Sequence, residues 1–247
     1  STGQVITHKL KEDPIAALKE VLAHTIKVCG AKISDHIVKD KIGSTVSTFF
    51  PDADPETDTV DGMTRVHTID LVWASARSAA GAAAAPSSLS DNAMFINSSS
   101  TTDKYSQIGR SVYLYNTGPT IPDTDDISAA TMSIDGGDIA TVNTLQAGSH
   151  TTNIYSSSPA SNTNLVAGDF DVANWGSTAF STSIGIASWS TTAYNDFALN
   201  SSGITNISKT TVSKFGAREA AHDGSDVAPT WGSEQSMLVG SMFADNA

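Results

Sequence analysis

An acidic loop between residues 51 and 62 is the first segment whose residue types suggest chemistry. Its carboxylates alternate along the chain, at Asp52, Asp54, Glu56, Asp58 and Asp61. Calcium prefers such hard oxygen ligands, but the loop departs from the EF-hand pattern, because Thr57 stands at position six and Met63 at position twelve. We expect an ordered, solvated turn that binds no metal. The alternative is a Ca²⁺ ion bound by the first four of these carboxylates.

Other patterns of catalytic side chains are weak in this sequence. The six histidines do not show metal-ligand spacing such as His-Glu-x-x-His. There is no Gly-x-Ser-x-Gly elbow and no Gly-rich phosphate loop, and one cysteine, Cys29, cannot make a Cys-based metal site. We therefore expect no enzyme activity and no cofactor. A glycosidase with two carboxylates is an open alternative, because a sequence does not give the distance between them.

Two arginines and four tryptophans have both a structural and a ligand-binding interpretation. Arg110 lies in an alternating apolar run, and Arg218 ends the run Phe215-Gly-Ala-Arg218. We expect both arginines to form ion pairs inside the domain or at its edge. The tryptophans are scattered along the chain, which favours packing in a core or interface over a sugar-stacking platform. They are Trp73, Trp175, Trp189 and Trp231.

The composition excludes some classes of function. The net charge is −12, and charged residues are only 16% of the chain, against about 25% in ordinary proteins. A nucleic-acid groove needs Lys and Arg on one face, so no nucleic-acid partner is expected. The lysines concentrate in the first 41 residues, where they indicate a solvated helix face or a surface for an acidic partner. No apolar run approaches the ~18 residues that span a membrane.

The first 45 residues differ from the rest and are predicted to be an arm and a helix that serve assembly. Residues 4–10 alternate like a strand, and residues 14–29 have helical apolar spacing behind the start signal Asp13-Pro14. We expect the helix to bury its apolar stripe against the β domain or a neighbouring subunit. The predicted interface residues are Val5, Ile6, Ile15, Leu18, Leu22 and Ile26.

Residues 46–247 are predicted to be one mainly β domain, an antiparallel jelly-roll or β-sandwich. Residues 45–50, rich in Thr, Val and Phe, predict a strand that Pro51 ends. Nine further strands, separated by Ser, Gly, Asn and Pro loops, have the spacing of a sandwich. They are predicted at residues 64–70, 93–97, 106–115, 129–134, 153–155, 182–186, 193–199, 211–218 and 236–243. Residues 74–90 are mostly small and predict a long loop with room for one helical turn.

The order of several motifs resembles that of jelly-roll structural proteins of tailed bacteriophages. An acidic loop with Val60-Asp-Gly62 comes first, followed by Asp70-Leu-Val-Trp73 and the strand at residues 105–115 that carries Arg110. The segments at residues 121–134, 165–170 and 194–207 follow, and Phe215-Gly-Ala-Arg218 closes the set. The resemblance covers roughly residues 46 to 245.

This resemblance implies a structural virion protein, either a capsid-surface (decoration) protein or a tail component. Its implied partners are other copies of itself and other virion proteins, so a homo-oligomer located in the virion is expected, with no membrane partner. Such jelly rolls also occur as carbohydrate-binding modules. The alternative function is therefore a host-glycan-binding adhesin module.

One departure from the family pattern leads to a further expectation. The closing strand of the pattern, which reads Pro-x-Leu-x-Val-x-Tyr after an Ala-Asp pair, has no counterpart after Phe243-Ala-Asp245. Native proteins rarely leave a sheet edge open, and an extended segment of another chain can fill it. We therefore predict that the arm at residues 4–10 pairs with a sheet edge of a neighbouring copy.

Overall fold

The computed structural model describes residues 45–86 and 90–246. From Phe49 onward the chain forms one compact unit. The predicted mainly β, antiparallel, sandwich-like fold is confirmed. The arm, the N-terminal helix and the six predicted interface residues all lie outside the described residues. The division between residues 45 and 46 stays a prediction.

Most strands belong to one large antiparallel sheet of nine strands. Seven of them lie in the spatial order β6, β11, β3, β4, β10, β7, β8. The other two form a branch, in which β1 pairs with β4 and β2 pairs with β1. The bounds are β1 Asp61–Val66, β2 Ala83–Ala85, β3 Ser90–Ser98, β4 Tyr105–Asn116, β6 Val142–Asn143, β7 Thr151–Ser156, β8 Ile184–Gly185, β10 Val212–Glu219 and β11 Ser236–Met242.

The sheet branches at its longest strand, β4. Residues 105–109 of β4 pair with β3, and residues 111–116 pair with β10. β1 pairs with residues 108–113 and so overlaps both partners. A strand has two hydrogen-bonding edges, and the residues that pair with β1, apart from Arg110, also pair with β3 or β10. β1 therefore occupies one edge of β4, and β3 and β10 share the other. Arg110 lies between the residues that pair with β3 and those that pair with β10.

A second, two-stranded sheet packs against this large sheet. It pairs β5 (Thr131–Asp135) with β9 (Tyr194–Ala198). Exposed and buried residues alternate along both strands, as a sheet with one wet face requires. The buried residues of this sheet join the largest core cluster, together with residues of the large sheet. Members of this cluster include Met63, Phe95, Met132, Ile134, Phe197, Phe215 and Met237.

Two smaller apolar clusters cover the opposite side of β4. Ile108 belongs to one of them and Val112 and Leu114 to the other, whereas Tyr113 belongs to the largest cluster. Successive side chains of a strand point to opposite faces, so β4 is buried on both. The short helix α1 (Trp73–Arg77), the 3₁₀ turn at Ala167–Phe170 and a π-helical turn at Ala220–Gly224 lie next to this part of the sheet.

The nine strands predicted beyond residue 60 each overlap an observed strand, but three local predictions need correction. Residues 45–50 form no strand: Val46 is 88% and Phe50 70% exposed, and no described strand pairs with them. Residues that favour extended backbone do not form a stable strand without a pairing partner. The predicted loop at residues 74–90 contains most of α1, which agrees with the helical turn allowed there, but it also contains the all-alanine β2, which was not predicted. Helix α2 (Ser201–Thr205) was not predicted either.

In the described ranges, no helix has the length and apolarity needed to cross a bilayer.

Candidate functional site

The candidate site is a layer of charged side chains enclosed beside β4, at the end of β10. Arg110, Arg218, Glu219 and Asp223 are each at most 1% exposed. The two arginines are the largest fully buried side chains among the described residues. An isolated buried charge is very costly, so each of these groups needs a partner close by.

Arg110 and Asp223 form the centre of this layer. The guanidinium Nε donates to Asp223 Oδ2 at 2.7 Å, and Nη2 donates to Oδ1 at 2.7 Å. The remaining donors reach the carbonyl oxygens of Phe170 and Arg77. The Phe170 ring stacks on the guanidinium, with its centroid 4.1 Å away. All three nitrogens of the Arg110 guanidinium thus donate hydrogen bonds, and an aromatic ring covers one of its faces.

Asp223 also joins helix α1 to the π-helical turn. Arg77 Nε lies 3.2 Å from Asp223 Oδ1 and donates to the Asp223 carbonyl oxygen at 2.9 Å. Burial alone would raise the pKa of Asp223. The charge and hydrogen bonds of Arg110, helped by Arg218 and Arg77, outweigh burial and keep this pKa below its ordinary value. The carboxylate is therefore ionised and serves as a structural anchor.

Arg218 is held mainly by aromatic contact. Its guanidinium lies 4.4 Å from the Tyr155 ring centroid, and Nη2 donates to the Gly176 carbonyl oxygen at 2.6 Å. Its Nε and Nη1 are buried without a hydrogen-bond partner in the described part of the chain. Burial lowers the pKa of Arg218 below its ordinary value. The expectation of an internal ion pair is confirmed for Arg110, whereas Arg218 makes a cation–π contact instead.

Next to this charged centre, two histidines converge on one glutamate. His150 Nδ1 lies 3.4 Å from Glu219 Oε1, and the rings of His150 and His222 meet edge to face with centroids 4.9 Å apart. One ligand atom from each of these three residues can be chosen so that all lie within 4.8 Å of one another. All three residues are buried.

Local hydrogen bonds fix each member of this His–Glu–His cluster, by which we mean His150, Glu219 and His222. Glu219 accepts backbone N–H groups of Ala221, His222 and Asp223 and so caps the π-helical turn. It also accepts the N–H of Thr151 at 3.2 Å. Burial lowers the pKa of His222, against the opposing charge of Glu219, so the ring is neutral near pH 7.

Sequence reasoning missed this cluster, although two of its three members leave a local signal. Glu219-Ala-Ala-His222 places a carboxylate and an imidazole three residues apart at the end of β10. His150 is 69 residues from Glu219 and carries no such signal. Only the pairing of β7 with β10, Thr152 opposite Glu219, brings it there.

Among the four carboxylates that were candidates for the alternative calcium site, Asp52 has a clear structural role. Asp52 Oδ2 accepts the backbone N–H groups of Thr57, Asp58 and Thr59, at 3.2, 2.6 and 3.2 Å. It therefore closes the acidic loop as a hydrogen-bonded turn. Across residues 45–86 and 90–246, the set Asp52, Asp54, Glu56 and Asp58 does not come together as a ligand cluster.

The tryptophans divide three to one. Trp73, Trp175 and Trp189 are buried, which confirms core packing for them. Trp231 is half-buried, and its indole N–H donates to the Ser99 carbonyl oxygen at 3.2 Å. Ser99 also lines a shallow polar depression, whose other lining residues are Asn97, Ser98, Ser100, Ser106, Glu234 and Ser236.

The geometry thus offers a buried ionic centre, a His–Glu–His cluster and a shallow polar depression. The ionic centre has no exposed acid, base or nucleophile. Comparison with protein-family models, curated proteins and solved structures finds no match for this chain.

Proposed function

We propose that the protein is a structural component of a tailed-phage particle, a capsid-surface or tail subunit that acts through contacts with other subunits. The observation that carries the proposal is the buried ion pair of Arg110 and Asp223. Arg110 and Asp223, which carry charges in the interior, join β4 to the segments that cover it. We infer that these charges have a structural role, so that binding to other subunits takes place on the outer surface.

The sequence resemblance supports the same proposal from another direction. Two motifs on which it rests are the strand carrying Arg110 and the segment Phe215-Gly-Ala-Arg218. In the fold, β4 and β10 pair directly, with Phe215 opposite Tyr113. Both arginines lie 5.9 Å from the Trp175 ring centroid. The motif residues are therefore spatial neighbours with a shared structural task.

Strand addition is the route to subunit contacts that we favour. Within the described residues, β5 and β9 pair only with each other, so each presents an edge five residues long. The ends of the large sheet are the two-residue strands β6 and β8. Unpaired edges are templates for strands of another chain. Tyr194, at the start of β9, is 62% exposed beside this edge.

The test is the location and association state of the full chain. Mass spectrometry and immunogold labelling of purified tailed-phage particles should find the protein on the head or tail. Sedimentation velocity of the purified protein should show a concentration-dependent oligomer. A protein that stays monomeric at high concentration and is missing from particles would contradict the proposal.

A host-glycan-binding module is the second candidate, favoured by the shallow depression beside Trp231. Serine and asparagine side chains line it, and a half-buried indole lies at Ser99. Such a combination can hydrogen-bond and stack on a sugar. Saturable binding on a glycan array, abolished by Trp231→Ala and retained by Trp189→Phe, would favour this candidate.

A further inference from the structure

We propose that His150, Glu219 and His222 bind a zinc-class transition-metal ion that ties together three segments of the fold. The inference rests on the geometry of these side chains and is independent of the proposed virion role. Two imidazole nitrogens and one carboxylate oxygen are a ligand set that suits zinc, whereas calcium and magnesium prefer oxygen ligands alone.

The spacing of the ligand atoms fits one ion. Zinc bonds of about 2.0–2.1 Å in tetrahedral geometry place neighbouring ligand atoms roughly 3.3–3.4 Å apart. His150 Nδ1 and Glu219 Oε1 are separated by 3.4 Å. One ligand atom of each of the three residues can be chosen so that all lie within 4.8 Å of one another. Bringing them to the spacing of a zinc tetrahedron therefore shortens each separation by at most about 1.5 Å.

The hydrogen bonds of the two rings direct their lone pairs into the cluster. The Leu145 carbonyl oxygen lies 2.6 Å from His150 Nε2, and the Val227 carbonyl oxygen lies 3.0 Å from His222 Nδ1. A carbonyl accepts only, so these two ring nitrogens carry protons. In the neutral form of each ring, which is the form that binds a metal, the lone pairs are on His150 Nδ1 and His222 Nε2. Metal-bound histidines almost always donate their other N–H in this way.

With both rings neutral, acceptor atoms meet at the centre of the cluster. The lone pair of His150 Nδ1 then faces Glu219 Oε1 at 3.4 Å. Ser149 Oγ lies 3.2 Å from His222 Nε2 and donates to the Gln146 carbonyl oxygen at 2.8 Å. A metal ion among these acceptors would bind to them directly, with either the Ser149 hydroxyl or a water as fourth ligand.

Burial indicates a structural rather than a catalytic ion. His150 and Glu219 are each 1% exposed, and His222 is 5% exposed. The ligands come from the residue preceding β7, the end of β10 and the π-helical turn. A closed site of this kind adds its binding free energy to folding stability.

The experiment uses the full chain without a histidine tag, stripped with a chelator and then titrated with Zn²⁺ by calorimetry. We expect a 1:1 site and a higher melting temperature after zinc is added. Co²⁺ should give the visible absorption of a tetrahedral complex with nitrogen and oxygen ligands. A wild-type chain that shows neither tight zinc binding nor this cobalt spectrum would overturn the proposal.

Variants assign the ion to these residues. His150→Gln and His222→Gln should each weaken zinc binding by at least about 100-fold, because losing even a supporting contact costs 10–100-fold. His67→Gln is the matched control, since His67 bonds only its neighbour Thr68 among the contacts described for its side chain, and it should bind zinc as the wild type does. Unchanged affinity in both cluster variants would place the ion elsewhere and refute the site. Should the variants fail to fold, the wild-type cobalt spectrum decides.

Discussion

Arg110 and Asp223 are 113 residues apart in the chain, and their side chains form a two-pronged ion pair with both N–O distances at 2.7 Å. Both side chains are shielded from solvent, at 0% and 1% exposure. Water cannot replace either partner, so the pair behaves as one unit. The fold depends on this unit because it joins β4, α1 and the π-helical turn.

Removing one partner of this pair should be strongly destabilising. Asp223→Asn leaves Arg110 as an uncompensated buried charge, which costs ~3–5 kcal/mol in unfolding free energy. Urea denaturation measures this loss. The double variant Arg110→Met with Asp223→Leu should cost less than the sum of the two single changes. Asp196→Asn, at an exposed position, is the control; a loss below about 1 kcal/mol for Asp223→Asn would contradict the assignment.

Asp61 should make stability fall as the pH rises. Burial, opposed by the Ala244 N–H and reinforced by the charges of Asp245 and Glu56, raises the pKa of Asp61 from 3.8 to about 7. Between these two values the folded state binds more protons than the unfolded state, so the unfolding free energy decreases with pH. The full effect is at most about 4 kcal/mol between pH 4 and pH 8.

The variant Asp61→Asn tests this prediction. It keeps an acceptor for the Ala244 N–H but removes the titrating group. Its urea-unfolding free energy should show a weaker fall between about pH 4 and 8 than the wild type, with the largest gain at pH 8. A wild type and variant with parallel pH profiles would show that Asp61 does not titrate in this window.

Gly216 should tolerate no side chain, although it lies in an ordinary strand. A Cβ atom added there would lie 2.3 Å from the Trp175 ring, which is itself buried. Gly216→Ala therefore forces the indole off its position and should cost ~1–3 kcal/mol by overpacking. Gly168→Ala is the matched control, because open space surrounds that position. Equal melting temperatures of the two variants would show that the indole relaxes freely.

Lysines on the exposed side of the small sheet should block association if its edges carry subunit contacts. Ser133 and Tyr194 are exposed residues of β5 and β9, and edge lysines discourage strand addition. The variant Ser133→Lys with Tyr194→Lys should remain folded but sediment as a smaller species than the wild type. Val166→Lys, on an exposed residue remote from both strands in sequence, controls for added charge. An unchanged oligomer would exclude this surface as the contact.

The sequence was sufficient for most strands because local alternation and turn residues determine them. β5 and β9 are clear cases, since buried and exposed residues alternate along each and loops bound them. The strand predicted at residues 45–50 is wrong because strand-favouring residues do not reveal whether a partner strand is available. Whether a segment can be extended depends on its local sequence, whereas its pairing depends on which other strands the fold brings beside it.

The candidate site was hidden because its parts meet only in the tertiary structure. No spacing rule links Arg110 with Asp223 or His150 with Glu219, and both encounters follow from the pairing of β10 with β4 and β7. The acidic loop had the stronger sequence signal, yet Asp52 uses its carboxylate to cap a turn. A high density of carboxylates in a sequence does not show whether they bind a metal or accept structural hydrogen bonds.

The shared edge of β4 has a consequence for the order in which the protein is synthesised. β3 is available as soon as β4 leaves the ribosome, but the other half of that edge waits for residues 212–217, about a hundred residues later. Until then the nascent chain carries Arg110 with no counter-charge, because Asp223 is translated later still. Limited proteolysis of stalled nascent chains should find β4 cleavable until residue 223 has emerged. The domain is therefore completed only after residue 223 has been translated, and chains released before that point are substrates for chaperones and proteases.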